Sequence, residues 1–180
     1  MTITAEQIAV ANATSRNNGA VGAKALVPRY VRDHYGALTD IMVLDFGAGR
    51  EAAHAEAMRE AYSTVHGWQV DAYEFGVNRN ERHLSESQAV GMLGLYGVVY
   101  ASNVLNVQSS YEMMHNTLHR VKSFMNPVGH FICNLPESPR KMSTSADNVE
   151  EVLRVYFATV ERVAGTKRAP VWRCTNWGTV

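Results

Sequence analysis

The 180-residue chain carries 17 basic and 17 acidic residues, for a formal net charge of zero, and 46% of it is apolar. That length suits one hydrophobic core and not two full domains, and the balanced charge excludes a global attraction to phosphate backbones or anionic membranes. Apolar residues fall in short runs broken by charges, so no stretch reaches the roughly 20 residues a bilayer span needs. Residues 1–8 lack the basic start and apolar run of a secretory signal, and a cytoplasmic protein is expected. Cys133 and Cys174, the two cysteines, have no metal-ligand spacing, nor do His83, His115, His119 and His130. Free thiols are expected, with Cys133 buried in an apolar run, and no metal site.

Residues 1–23, rich in Ala, Asn, Thr and Gly, have weak helical periodicity at 8–13 and read as an arm. Pro28 at a first helical position, then Tyr30, Val31, His34 and Tyr35, predicts a helix capped by Gly36. This divides the chain into an N-terminal arm and helix (1–36) and a main domain (37–180). The continuous apolar run 41–46 reads as a buried parallel strand ending in Gly47-Ala48-Gly49. A helix is predicted over 51–65, closed by Gly67, and then a strand over 68–73 that ends at Glu74-Phe75-Gly76. The polar stretch 77–88 reads as loops with a short helix near 85–93, and 96–101 as a strand. Ser109 and Glu112 have capping-box spacing for a helix running to Phe124, where Asn126-Pro127 stops it. Residues 129–134 make another strand, and 135–139, with two prolines, irregular backbone. Over 147–163, Val149, Val152, Leu153, Tyr156, Phe157 and Val160 share one helical face, and 170–175 is a last strand. Strands alternating with helices imply an α/β fold, a mostly parallel sheet with helices on both faces.

In such sheets ligands bind beyond the carboxyl ends of the strands. The small residues after Asp45 let backbone N–H groups approach a ligand closely, and Glu74, closing the next strand, can accept hydrogen bonds from a ribose diol. A glycine pair alone is weak evidence. Strand, glycine turn, helix, second strand and terminal acid in that order make it specific.

On these residues the chain resembles class I S-adenosylmethionine-dependent methyltransferases, whose first motif commonly reads V-L-D-x-G-x-G-x-G; here it is Val43-Leu44-Asp45-Phe46-Gly47-Ala48-Gly49. The resemblance covers about residues 41–136 and implies a single Rossmann-like domain with S-adenosylmethionine as cofactor. It places Asp45, Phe46, Gly47, Ala48 and Gly49 around the methionine and ribose portions, Glu74 on the ribose hydroxyls, Phe75 beside the adenine, and Ser102 and Asn103, past the family's fourth strand, toward the methyl group and acceptor. One departure stands out: the third glycine is Glu51, whose carboxylate at the predicted helix start suits the helix dipole and would repel a dinucleotide pyrophosphate. An NAD or nucleotide-sugar enzyme is the less favoured reading.

Residues 98–107 resemble the matching stretch of phage-encoded and DNA-modification-associated methyltransferases. No D-P-P-Y or N-P-P-Y motif is present, Asn134-Leu135-Pro136 falls after the wrong strand to replace it, and Cys133 follows Ile132 and not proline, unlike a cytosine C5 nucleophile. Asn103 and Asn106 are the candidate polar catalytic contacts, with loop capping as the plainer alternative. His54 could reach the pocket or simply pack. The stretch 19–24 lacks the spacing, terminal hydroxyl and preceding strand of a phosphate loop. Arg16, Lys24, Arg29 and Arg32, with Arg140 and Lys141, form either a basic arm over the site or a solvated face.

The expected activity is methyl transfer, with a nucleic acid or nucleotide the slightly favoured acceptor. The alternative is a non-catalytic S-adenosylmethionine-binding regulatory or interaction protein. The sequence leaves little room for the terminal hairpin common in the family, so an uncovered edge inviting a homodimer is expected.

Overall fold

The structure is a computed structural model and describes residues 25–137 and 140–176. The readings at 8–13, 19–24, Arg16, Lys24 and Pro139 lie outside the described residues. In chain order the elements are α1 (Leu26–Tyr35), β1 (Met42–Phe46), α2 (Ala53–His66), β2 (Gln69–Tyr73), α3 (Glu86–Gly91), β3 (Tyr96–Ala101), α4 (Tyr111–Phe124), β4 (Met125–Asn134), α5 (Ala146–Tyr156), β5 (Thr159–Gly165) and β6 (Pro170–Thr175). Strands β1 to β4 are parallel neighbours in the order β2-β1-β3-β4, and β6 inserts antiparallel between β4 and β5. The pairings Phe46 with Tyr73, Asp45 with Tyr100 and Ala101 with Cys133 bring the carboxyl ends of four strands to one edge.

The sheet is buried on both faces, which is why β1 is almost continuously apolar. Val43, Val70, Val98, Tyr100 and Ile132 pack under α1 and α2. Leu44, Phe46, Val99, Phe131 and Cys133 pack under α4 and α5. Helix α4 buries Met113, Met114, Thr117, Leu118, Val121 and Phe124, a stripe at helical spacing. Both cysteines are buried free thiols. Burial, with Cys174 adjacent, pushes the Cys133 thiol up and keeps it protonated. No helix among the described residues is long and apolar enough to cross a membrane, and no group of three or more His, Cys, Asp or Glu side chains among them is arranged to hold a metal.

Several expectations need correction. Pro28 is the third residue of α1, not the first. Helix α2 begins at Ala53, so Glu51 lies exposed in the preceding turn and does not start the helix. The N-cap of α4 is Ser110, whose hydroxyl accepts from Met113 N–H at 3.1 Å; Ser109 instead contacts Met113 Sδ, and no capping box forms. Asn126-Pro127 does not divide helix from strand, because β4 starts directly at Met125, paired with Tyr96. The helix read to residue 163 ends at Tyr156. Phe157 is extended, and the remainder is β5, which pairs with β6 as an antiparallel hairpin.

That hairpin is the terminal one for which the sequence reading left little room, and it makes β5 the edge strand on its side of the sheet. At the other edge Arg59 donates through two nitrogens to Val70 O, and Leu84 N–H to Ala72 O, so β2 is partly capped.

Glu150 of α5 fastens this hairpin: its carboxylate accepts from Arg162 Nε at 2.6 Å, Arg154 at 2.9 Å and Trp172 Nε1 at 3.0 Å. Burial alone would raise this carboxyl, but the three donors outweigh it and hold it at about 2. A depressed folded pKa contributes stability above the unfolded value, lost as pH falls from about 4 to about 2. Glu150→Gln is expected to lower stability at pH 7 by about 2 kcal/mol, with the gap to wild type closing across that window in denaturant titrations.

Candidate functional site

The neighbours of β1 lie on opposite sides of it, β2 reached through α2 and β3 later in the chain, so its carboxyl end is a topological switch point. There Gly47 and Gly49 both take positive φ, +74° and +72°. A Cβ on Gly47 would fall 2.5 Å from Val104 Cγ2, so the loop after β3 requires glycine here. A Cβ on Gly49 would meet nothing within 4 Å. The turn therefore faces open space at Gly49. Its far side is tied down, with Gly47 and Ala48 N–H both donating to Tyr73 O at 2.8 and 3.2 Å.

Two buried carboxylates stand at this edge of the sheet, on β1 and just after β2. Asp45 is 3% exposed, and burial pushes its carboxyl up to about 7, aided by the Glu74 charge and opposed by the Tyr100 hydroxyl and the Ala55 N–H. The Ala55 contact caps α2, whose own N-cap residue, Ala52, supplies no side-chain bond. Glu74 is also buried and its carboxyl raised by burial, against the N–H groups of Phe75 and Gly49 and the nearby Arg79. Its Oε2 accepts from Gly49 N–H at 2.6 Å and its Oε1 from Phe75 N–H at 2.7 Å. Each carboxylate oxygen retains acceptor capacity beyond these bonds.

The remaining candidate residues divide. Ala48 and Ser102 are half-buried beside the turn and at the end of β3, which is third in chain order. Phe46 is fully buried among Tyr73, Phe75 and Phe124, so only its backbone borders the site. Phe75 packs edge-on against Phe46 and Tyr73 while remaining half-exposed. Asn103 sits in the left-handed region at φ +60°, which asparagine tolerates. Its N–H donates to Asn134 Oδ1 at 2.7 Å, and its Oδ1 accepts from Asn134 Nδ2 at 2.8 Å. Asn106 is buried, and its carbonyl accepts from Lys141 N–H at 2.9 Å. His54 is buried in the first turn of α2.

Of the basic residues, Arg32 lies near enough to Tyr100 to act on its hydroxyl, and Arg29 is exposed on the same helix. Arg140 is a loop fastener: its guanidinium donates to the carbonyls of Pro136, Thr144 and Arg168.

Two residues at this edge escape sequence reasoning. Asn134 ends β4 as Glu74 follows β2, and that polar residue closing a buried strand was the available signal. His83, whose Nε2 lies 2.9 Å from Gly49 O, carries no such signal in its polar stretch.

No protein-family model matches the chain, and no curated protein does. Solved structures do. A 1,6-didemethyltoxoflavin-N1-methyltransferase of Burkholderia thailandensis, with bound 1,6-didemethyltoxoflavin and S-adenosylhomocysteine, superposes with a TM-score of 0.60 at 16% identity, over 97% of this chain and 92% of that one. A SAM-dependent methyltransferase of Aquifex aeolicus gives 0.57 at 12% identity, over 91% and 98%. This chain has the methyltransferase fold. The CurJ carbon methyltransferase is similar too, with a TM-score of 0.56 at 14% identity over 86% of this chain, which spans only 54% of that protein.

Proposed function

We propose that the chain is an S-adenosylmethionine-dependent methyltransferase with its cofactor seated on the glycine turn. The observation that carries this reading is the glycine turn at the switch point of the sheet, open at Gly49, with the buried carboxylates of Asp45 and Glu74 at the ends of the two strands beside it. The residues fit the group: a cation suits Asp45, whose ionisation burial opposes, and a diol suits the lone pairs left on Glu74. S-adenosylmethionine, when bound, supplies an already activated methyl group, so the protein chiefly has to orient the reactants and exclude water. Gly47, Ala48 and Gly49 bring backbone close to it, Phe75 flanks the base, and Ser102 and Asn103, with Asn106 behind them, border the acceptor side. The Asn103–Asn134 pair fixes that border in place, because Asn103 donates its N–H to Asn134 Oδ1 and accepts from Asn134 Nδ2 at its own Oδ1.

A nucleotide or nucleic-acid base is the acceptor class to test first. Its support is the resemblance of residues 98–107 to DNA-modification-associated methyltransferases. The test is release of S-adenosylhomocysteine in the presence of DNA, RNA or free nucleotides. Turnover with one of them supports the assignment. Cofactor uptake without turnover across all acceptor classes supports the non-catalytic binding protein instead.

A further inference from the structure

Between β2 and α3 the chain folds back on the glycine turn through a 3-10 turn (Gly76–Asn78) and a tight loop. His83 leads this return and is buried. Its Nδ1 lies 3.1 Å from Asn80 N, and its Nε2 lies 2.9 Å from Gly49 O. A backbone N–H can only donate, so Nδ1 is the bare nitrogen and Nε2 carries the proton it gives to the Gly49 carbonyl. The contacts thus define one neutral tautomer.

Gly49 is held on both of its backbone groups, its N–H by Glu74 Oε2 at 2.6 Å and its carbonyl by His83 Nε2 at 2.9 Å and, more loosely, by the Ala52 N–H at 3.2 Å. One residue further on, the Arg50 carbonyl accepts from Asn80 Nδ2 at 2.8 Å. Gly49 has positive φ and open space where a side chain would be, so side-chain packing does nothing to orient it. Hydrogen bonds do that, and the two shortest come from the segment after β2.

We propose that His83 is a positioning residue of the cofactor turn: as a neutral Nε2–H donor it sets the orientation of Gly49, and through the Gly49 N–H that of the Glu74 carboxylate, before ligand arrives. This rests on the reading of the site as an S-adenosylmethionine site. Preorganisation of this kind shows as affinity, because an unheld turn has to be ordered on binding. The loop has other anchors, Leu84 N–H on Ala72 O and the Ser85–Gln88 capping box of α3, so loss of the ring need not unfold it.

The test is calorimetric titration of S-adenosylhomocysteine into wild type, His83→Ala and His83→Gln, with unfolding midpoints of the ligand-free proteins and long-range 1H–15N spectra of the histidine rings. Wild type is expected to bind. His83→Ala is expected to bind about tenfold more weakly or worse, the scale of one lost hydrogen bond, with a midpoint near wild type. His83→Gln, which keeps a donor to the Gly49 carbonyl, is expected to recover most of that loss, and the His83 ring to show the neutral Nε2–H pattern. Equal affinity of wild type and His83→Ala overturns the proposal while leaving the cofactor site standing, as does an Nδ1–H ring or a glutamine variant no better than alanine. Absence of binding by wild type overturns the cofactor reading and the positioning role together. Should His83→Ala fail to fold, the glutamine variant and the ring spectrum decide.

Discussion

Asp45→Asn is expected to make the ligand-free protein more stable at pH 8 and yet weaken its hold on S-adenosylmethionine. The Asp45 carboxyl is buried and pushed up to about 7, far above an ordinary aspartate. Between about pH 4 and 7 the folded state binds more protons at this position than the unfolded chain, so the group's contribution to stability is fullest below about 4 and declines as pH rises to 7. Above that the charged, desolvated carboxylate costs a few kcal/mol, which the neutral amide avoids while its oxygen can still accept from Ala55 N–H. The stability gap between variant and wild type should therefore open between pH 4 and 7 and stay constant above, as denaturant titrations at pH 5 and pH 8 can show. Cofactor binding has the opposite sign. A cationic ligand draws on the ionised form, so wild-type affinity should rise about tenfold per pH unit up to roughly 7 and then level off. The variant should lose that slope. A carboxylate that only caps α2 would show the stability effect without the binding effect.

Glu74→Ala is expected to weaken S-adenosylmethionine binding by about 1.5 to 3 kcal/mol, the scale of hydrogen bonds to a charged group. The structure adds a second consequence. Both carboxylate oxygens already accept backbone N–H groups, from Gly49 and Phe75, and the substitution leaves those donors without their partner. A lower unfolding midpoint is therefore expected as well, although loss of a desolvated carboxylate offsets part of it. Glu74→Gln separates the contributions: its single amide oxygen can replace only part of the carboxylate's acceptor set, so affinity should fall between alanine and wild type. Unchanged affinity in the alanine variant would remove the ribose role from Glu74.

The parts of this fold legible in the sequence are those in which a local pattern and a tertiary environment agree. The run ending at Phe46 reads as a strand because both faces of β1 are covered, and Gly47 and Gly49 mark a turn because the backbone there takes positive φ. The β5 strand was hidden for a definite reason. Val160 continues the helical spacing of Val149, Val152 and Leu153, and no glycine or proline marks the end of α5 at Tyr156. Only pairing with β6 makes Thr159–Gly165 a strand. The N-cap of α4 lies one residue past the serine that capping-box spacing selects, because it is the Ser110 hydroxyl that meets Met113 N–H.

The site shows the same division. Asp45 and Glu74 are visible because they stand at the carboxyl ends of two strands, Asp45 within β1 and Glu74 just after β2, but nothing local announces that Asp45 caps a helix starting beyond the glycine turn. The bonds from His83 to Gly49 and from Asn134 to Asn103 join residues more than thirty positions apart, beyond the reach of any spacing rule. The carboxylate that serves the start of α2 is Asp45, from inside the sheet, and not Glu51 in the turn.

The central claim is that this glycine turn binds S-adenosylmethionine. The most direct measurement is calorimetric titration of the protein at pH 8 with S-adenosylmethionine and, in parallel, S-adenosylhomocysteine. The account predicts one site per chain with dissociation constants on the order of micromolar for both, about 8 kcal/mol of binding free energy. Absence of binding by either would contradict it, and would make the turn, with its Glu74 and His83 bonds, a structural feature of the fold.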